Sequence, residues 1–279
     1  MSRWSPESLL IALFPTRIVA ARREGFWRSR VTDKRVVETA EPGAPVTDES
    51  ASASPSPDAN PPWKQAVAAL DELLAGFATP GIAATVIVSS RFVRYTIVPW
   101  RDNIVSAPER AEFARHCFRS TYGERAADWE IRISSGGFRR NALACAMDAQ
   151  MLRTVETSLA GCGIPVASIQ PNFMAACNRL RGELRGYESG CIAVLEPGRV
   201  SLGIFDRTGW NTLSARRIGT LWPEELVPVL AQELNSADAD GLPEYLFVAA
   251  VGPTASSFFR TRTKAWLAPA QTRIPDPVP

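Results

Sequence analysis

The chain has a single histidine, His116, and five cysteines among 279 residues, no two of them spaced as C-x-x-C. Cys117, Cys145, Cys162, Cys177 and Cys191 are odd in number. That argues against a disulfide framework and a zinc site, and agrees with a reducing compartment. No G-x-x-x-x-G-K-[ST], H-E-x-x-H or G-x-S-x-G occurs, so the P-loop, zincin and serine-hydrolase signatures are all missing. The net charge is only +2, with acidic and basic residues interspersed. No electrostatic case for a nucleic-acid or anionic-lipid surface follows. No apolar run approaches the ~20 residues of a membrane span. Leu9–Phe14 is shorter than a signal core, and Arg17 and Arg22-Arg23 follow it instead of a small-residue cleavage site. The expectation is a soluble chain without a conventional export signal, held at a membrane only through partners.

Short apolar-alternating runs at 9–14, 17–23 and 30–38 predict a three-strand meander. Residues 42–62 contain six prolines among Ser, Ala and Asp. Such a stretch buries too little apolar area to offset its ordering entropy, so a flexible loop is expected. Trp63, Val67, Leu70, Leu74 and Phe77 recur at helical spacing until Pro80-Gly81. Ile82–Ser89 and Phe92–Val98 suggest a hairpin closed at Ser90-Arg91. Ser106 and Glu109 form a capping box for a helix carrying Phe113, Cys117 and Phe118. Strands follow at Trp129–Ser134 and Ala142–Met147, then a helix capped by Asp148 and closed by Gly161 and Gly163. Val166–Gln170 is a strand, and Pro171 opens the next helix. Strands at 191–196, 200–206 and 210–217, a helix capped by Thr220, a buried strand at Leu246–Val251 and a proline-rich tail complete the chain. A strand meander followed by a helix thus occurs twice, which signals a duplicated fold.

Individual candidates for chemistry are few. His116 has no nucleophile beside it and is expected on or near the surface. Ser134-Ser135-Gly136-Gly137 joins two strands, so a hairpin turn explains it better than a phosphate loop. Arg139-Arg140 and Arg179, Arg181 and Arg185 are small basic clusters on a solvated face. Arg91, Arg94 and Arg101 flank Trp100, the composition of an interface hot spot, although Trp100 could equally pack under the helix that follows.

The order of elements resembles the actin-like family of the type IV pilus assembly protein PilM and the cytoplasmic part of the type II secretion protein GspL. The resemblance covers about residues 9–252. Its clearest stretches are Thr85–Ser89, Arg94–Trp100, Ala142–Asp148, Gly161–Pro165 and Ser168–Pro171. It implies an α+β, actin-like (RNase H-like) bilobed fold with an inserted small domain and a reduced second lobe. The first lobe would span 1–81, the inserted module 82–169, a connecting helix 170–190 and the second lobe 191–268, before a disordered tail at 269–279.

Active members of that family hold ATP between two lobes, with an Asp-x-Gly turn after the first strand. The matching place here is Ala12-Leu13-Phe14-Pro15. It has no carboxylate to position magnesium and no glycine to let backbone amides approach a phosphate. The second turn keeps Glu196-Pro197-Gly198, and the third is reduced to Val248–Gly252. A remnant nucleotide pocket would therefore consist of Glu196, Gly198 and Gly252. The resemblance implies a non-catalytic cytoplasmic scaffold without cofactor or metal, peripheral to the inner membrane through its partners. Those partners would be a PilN-like or GspM-like cytoplasmic tail and a secretion or pilus ATPase. The tail would lie in a groove walled by Ile82–Trp100 and the Trp63–Phe77 helix, touching Arg94 and Trp100. The alternative is a nucleotide-binding actin-like ATPase with degenerate phosphate motifs.

Overall fold

The computed structural model describes residues 7–25, 30–39, 61–76, 81–104, 106–134, 137–219, 222–236, 243–251 and 256–262. The expected loop from 42 to 60, Phe77, Pro80, Thr220, Gly252 and the tail from 269 lie outside the described residues. The chain divides into two compact units. The first is built from Met1–Val93 and Met147–Pro171, the second from Arg94–Ala146 and Asn172–Pro279.

The first unit is one five-stranded sheet in the order β3-β2-β1-β4-β8, with β4 at Ala84–Val88 and β8 at Val166–Pro171. Strands β1 (Glu7–Leu13), β2 (Arg17–Glu24) and β3 (Arg30–Glu38) form the antiparallel meander. Alternation does the work in β1, where Leu9, Ile11 and Leu13 are buried. β3 has Arg, Asp, Lys and Glu along it and lies at the sheet edge, where charge discourages pairing with another chain. Helix α1 (Trp63–Ala75) buries Trp63, Ala66, Val67, Leu70, Leu73 and Leu74, the face the helical spacing predicts. It lies against β1, β2 and β3 and against helix α3 (Ala149–Gly161). Asp148 caps α3 by accepting from the amides of Gln150 and Met151 at 2.7 and 3.1 Å. Its other oxygen accepts from Trp63 Nε1 at 3.3 Å, which ties the two helices together.

The hairpin expected around Ser90-Arg91 does not form. β4 (Ala84–Val88) runs parallel to β1, with Leu13 opposite Val88, and parallel to β8 (Val166–Pro171). β5 (Val93–Val98) belongs to a separate three-stranded sheet, β5-β7-β6, with β6 at Trp129–Ile133 and β7 at Ala142–Asp148. A tight turn does exist, closed by Phe92 N donating to Ser89 O at 3.0 Å. It passes the chain from one sheet to the next instead of folding β5 back on β4. β4 and β8, which open and close the stretch 82–169, are thus strands of the sheet that contains β1.

In the second unit, β9 (Gly190–Glu196), β10 (Arg199–Asp206), β11 (Gly209–Arg217), β12 (Tyr245–Val251) and β13 (Ser256–Arg262) make a sheet in the order β11-β10-β9-β12-β13. β13, unforeseen in the sequence, pairs antiparallel with β12. Helix α5 (Trp222–Ser236) presses Leu226 and Leu230 onto Cys191, Ala193 and Val248. Helix α4 (Asn172–Leu180) covers the other cluster, in which Phe173 packs with Ile192, Val194 and Phe247. Helix α2 (Ala107–Tyr122) begins with the expected capping box, Ser106 Oγ accepting from Glu109 N and Glu109 Oε2 from Ser106 N. Its Phe118 packs on Tyr122 and Trp129. Among the described residues no helix is long and apolar enough to cross a membrane.

Candidate functional site

Two sites follow from the residues singled out above, the phosphate-turn remnant and the Trp100 surface. In the β1–β2 connection, Phe14 is buried and its amide donates to Arg17 O at 3.0 Å. The Arg17 guanidinium sits 5.7 Å from the Phe14 ring centre. Thr39 fastens the loop from outside, its Oγ1 donating to Pro15 O at 2.6 Å and its amide to Thr16 O at 2.9 Å. Pro15 has no amide to offer. The loop is closed by its own chain, with an aromatic ring where a phosphate-binding turn presents free N–H groups.

The β9–β10 turn is shorter. Glu196 pairs directly with Arg199, leaving Pro197 and Gly198 as the turn, with Gly198 at φ 71°. Glycine is required there by backbone conformation alone. Gly198 O also accepts from Ile218 N at 3.3 Å. The Glu196 side chain is buried, and its Oε1 accepts from Asn172 Nδ2 at 2.8 Å, a residue that is buried as well. Glu196 and Gly198 are therefore neighbours in one turn, the acid engaged by an amide side chain that sequence reading did not single out. Gly252 lies outside the described residues.

Arg94 is exposed on β5. Tyr95 turns the other way, its ring 6.0 Å from Phe173 and edge-on to it, so alternation along the strand separates the two as expected. Trp100 follows β5 and is half-buried. Its amide donates to Asn141 Oδ1 at 3.1 Å, and its indole N–H to Asp102 Oδ1 at 2.9 Å. Phe138 meets the indole edge-on with ring centres 5.3 Å apart, and the Arg110 guanidinium lies 5.4 Å from the indole ring centre. Arg139 stands 5.5 Å from the Phe138 ring centre. Phe138 is 78% exposed, the most exposed large apolar side chain among the described residues. Arg110 of α2 covers one side of Trp100, while Phe138 extends the aromatic surface into solvent. Phe138 and Arg110 were missed in the sequence, although Phe138 stands out as an aromatic between Gly136-Gly137 and Arg139-Arg140.

The remaining candidates do not assemble into chemistry. His116 is exposed on α2. Burial raises the thiol of Cys145 to about 11 and that of Cys191 to about 12, and raises Cys177 further. No group of His, Cys, Asp and Glu among the described residues could hold a metal ion.

No protein-family model matches the chain, and no curated protein matches it. Solved structures do. The cytoplasmic domain of EpsL, an inner membrane component of the type II secretion system of Vibrio cholerae, is similar with a TM-score of 0.55 at 14% identity, over 88% of this chain and 82% of that one. A Bacteroides thetaiotaomicron protein of actin-like ATPase fold and unknown function gives 0.54 at 11% identity, over 90% and 85%. The PilM–PilN type IV pilus biogenesis complex gives 0.50 at 16% identity, over 82% and 66%. The chain has the actin-like ATPase fold, of α+β class, as the order of its elements implied.

Proposed function

We propose that this chain is a non-catalytic assembly scaffold of a type IV pilus-like or type II secretion-like inner-membrane machine. It binds the short cytoplasmic tail of a bitopic membrane partner of the PilN or GspM kind, and through that partner stays at the inner face of the membrane. A secretion or pilus ATPase is its second partner. The observation that carries the reading is the half-buried Trp100–Arg110 pair with exposed Phe138 beside it, on a fold whose first phosphate turn is closed by Phe14, Pro15 and Thr39. The cluster lies within residues 82–169, the stretch read as the inserted module. An aromatic pair flanked by arginines is the composition of an interface hot spot. The similarity to EpsL and to the PilM–PilN complex supports the choice of machine.

Calorimetry against candidate membrane tails tests it. Trp100→Ala and Arg94→Glu each lower affinity by about 1–2 kcal/mol with circular dichroism unchanged. Unchanged affinity in both moves the partner site elsewhere. A nucleotide arm tests the alternative of an ATPase with degenerate motifs, whose remnant is Glu196, Gly198 and Gly252. A ligand at a hundred times its dissociation constant stabilises by about 2.7 kcal/mol. Millimolar ATP with magnesium is expected to leave the melting temperature unmoved. A rise that Glu196→Ala abolishes would sink the scaffold-only reading.

A further inference from the structure

The second unit contains an open cleft of about 910 Å³ at the end of its sheet opposite the Glu196–Arg199 turn. Its apolar floor includes Met174, Cys177, Ile192, Phe205 and Trp210. Arginines stand around it from three segments: Arg140 before β7, Arg181 and Arg185 after α4, and Arg207 in the β10–β11 turn. Two carboxylates also line it, and both are engaged. Glu188 pairs with Arg207. Asp206 accepts from Thr208 N and Thr208 Oγ1 at 2.6 Å each and from Asn211 Nδ2 at 2.7 Å. Among the described residues no ion pair is made by Arg140, Arg181 or Arg185, and all three are exposed. One wall is fixed in place. Asn141 N donates to Thr208 O at 2.7 Å, and a side chain at Gly209 would collide with the Asn141 backbone.

The volume lies at the upper end of the ~300–1,000 Å³ common for ligand pockets. A site for a lone phosphate gathers its donors, often backbone amides, around one point. Here the arginines come from three separate segments around an apolar floor, and all of them are exposed. Charges spaced along an extended chain, with an apolar side chain between them, match that pattern better. We propose that this cleft docks an acidic peptide segment of a partner protein, an aromatic or aliphatic side chain resting on Phe205 and Trp210 and carboxylates meeting Arg140, Arg181 and Arg185. The site shares neither Arg94 nor Trp100 with the tail-binding surface above, so the two stand or fall separately.

Selection of a display library of short random peptides on the full chain tests it. The expected result is enrichment of acidic sequences with one or two aromatic or aliphatic residues, bound more weakly as salt rises. Arg181→Glu with Arg185→Glu weakens the best synthetic peptide at least about tenfold. Arg181→Gln with Arg185→Gln gives a smaller loss and serves if the reversal disturbs folding. Trp100→Ala leaves the affinity unchanged. Failure to enrich, enrichment without an acidic bias, or acidic binding that survives the reversal overturns the proposal. So does loss of binding on Trp100→Ala, which would place the peptides at the aromatic cluster. Binding of phosphatidylglycerol vesicles without peptide binding would reassign the cleft to a lipid surface and overturn it too.

Discussion

The two five-stranded sheets follow one plan and part company at two places. In each, the first strand pairs antiparallel with the second and parallel with the fourth, with a helix in the connection from the third strand to the fourth. The fifth strand differs. β8 is parallel to β4 and is reached only after more than seventy residues, whereas β13 is antiparallel to β12 and follows within a few. The hairpins differ too. The first sheet spends four residues between Leu13 and Ile18, the second only Pro197 and Gly198 between Glu196 and Arg199. A shared sheet plan therefore tolerates different turn chemistry. Retaining the fold does not require retaining that chemistry.

The largest break is expected at equivalent places on the second strands. Arg22 lies opposite Leu9 in the first sheet, and Gly203 opposite Ile192 in the second. A Cβ at Gly203 would stand 2.5 Å from Phe173 Cζ and 2.7 Å from Trp210 Cζ3. Gly203→Val should cost about 3 kcal/mol in urea unfolding, whereas Arg22→Val should stay within about 1 kcal/mol. Equal costs would mean that the two positions are packed alike. Next comes the acid peculiar to the second turn. Asn172→Ala takes a donor from the buried Glu196 carboxylate and should cost about 1–3 kcal/mol, with Glu196→Gln costing less. Thermal melts that tie the two variants would show that the carboxylate does not depend on Asn172.

The smallest effect belongs to the β10–β11 turn, another two-residue connection where the first sheet uses a longer one. Burial pushes the Asp206 carboxyl up, but the hydrogen bonds from Asn211 and Thr208 outweigh it and hold the group below its ordinary value of 3.8. A lowered folded-state value means that stability is present above 3.8 and is lost as pH falls through the folded-state value. Asp206→Ala should therefore lower stability at neutral pH by no more than about 1 kcal/mol, since solvent screens the group. The difference from wild type should shrink as the pH drops below 3.8. A difference independent of pH would assign the effect to turn geometry instead of charge.

Much of the fold is legible in the sequence because alternation and capping are local. β1, β2, β3, α1 and the Ser106–Glu109 capping box stand where periodicity and cap chemistry put them. Partner choice between strands is not local. Ser89–Phe92 has the look of a hairpin turn, and only the parallel slot beside β1 assigns β4 elsewhere. β13 escaped because its slot is defined by β12, not by a pattern of its own. At the sites, the missing first acid and glycine were visible. The Asn172–Glu196 bond and the stacking of Phe138 and Arg110 on Trp100 were not, since each joins residues far apart in the chain.

The return of the chain to its first sheet has a consequence for biosynthesis. β4, Ala-Thr-Val-Ile-Val, gains its second neighbour only from β8, whose last residue is Pro171. Until the ribosome has delivered residue 171, the nascent first unit ends in an apolar strand with one open edge. Such an edge pairs readily with other chains. Fragments ending between residues 93 and 166 should for that reason aggregate. Fragments reaching past 171 carry their own edge strand, so the first unit can close before Asn172–Pro279 of the second is made.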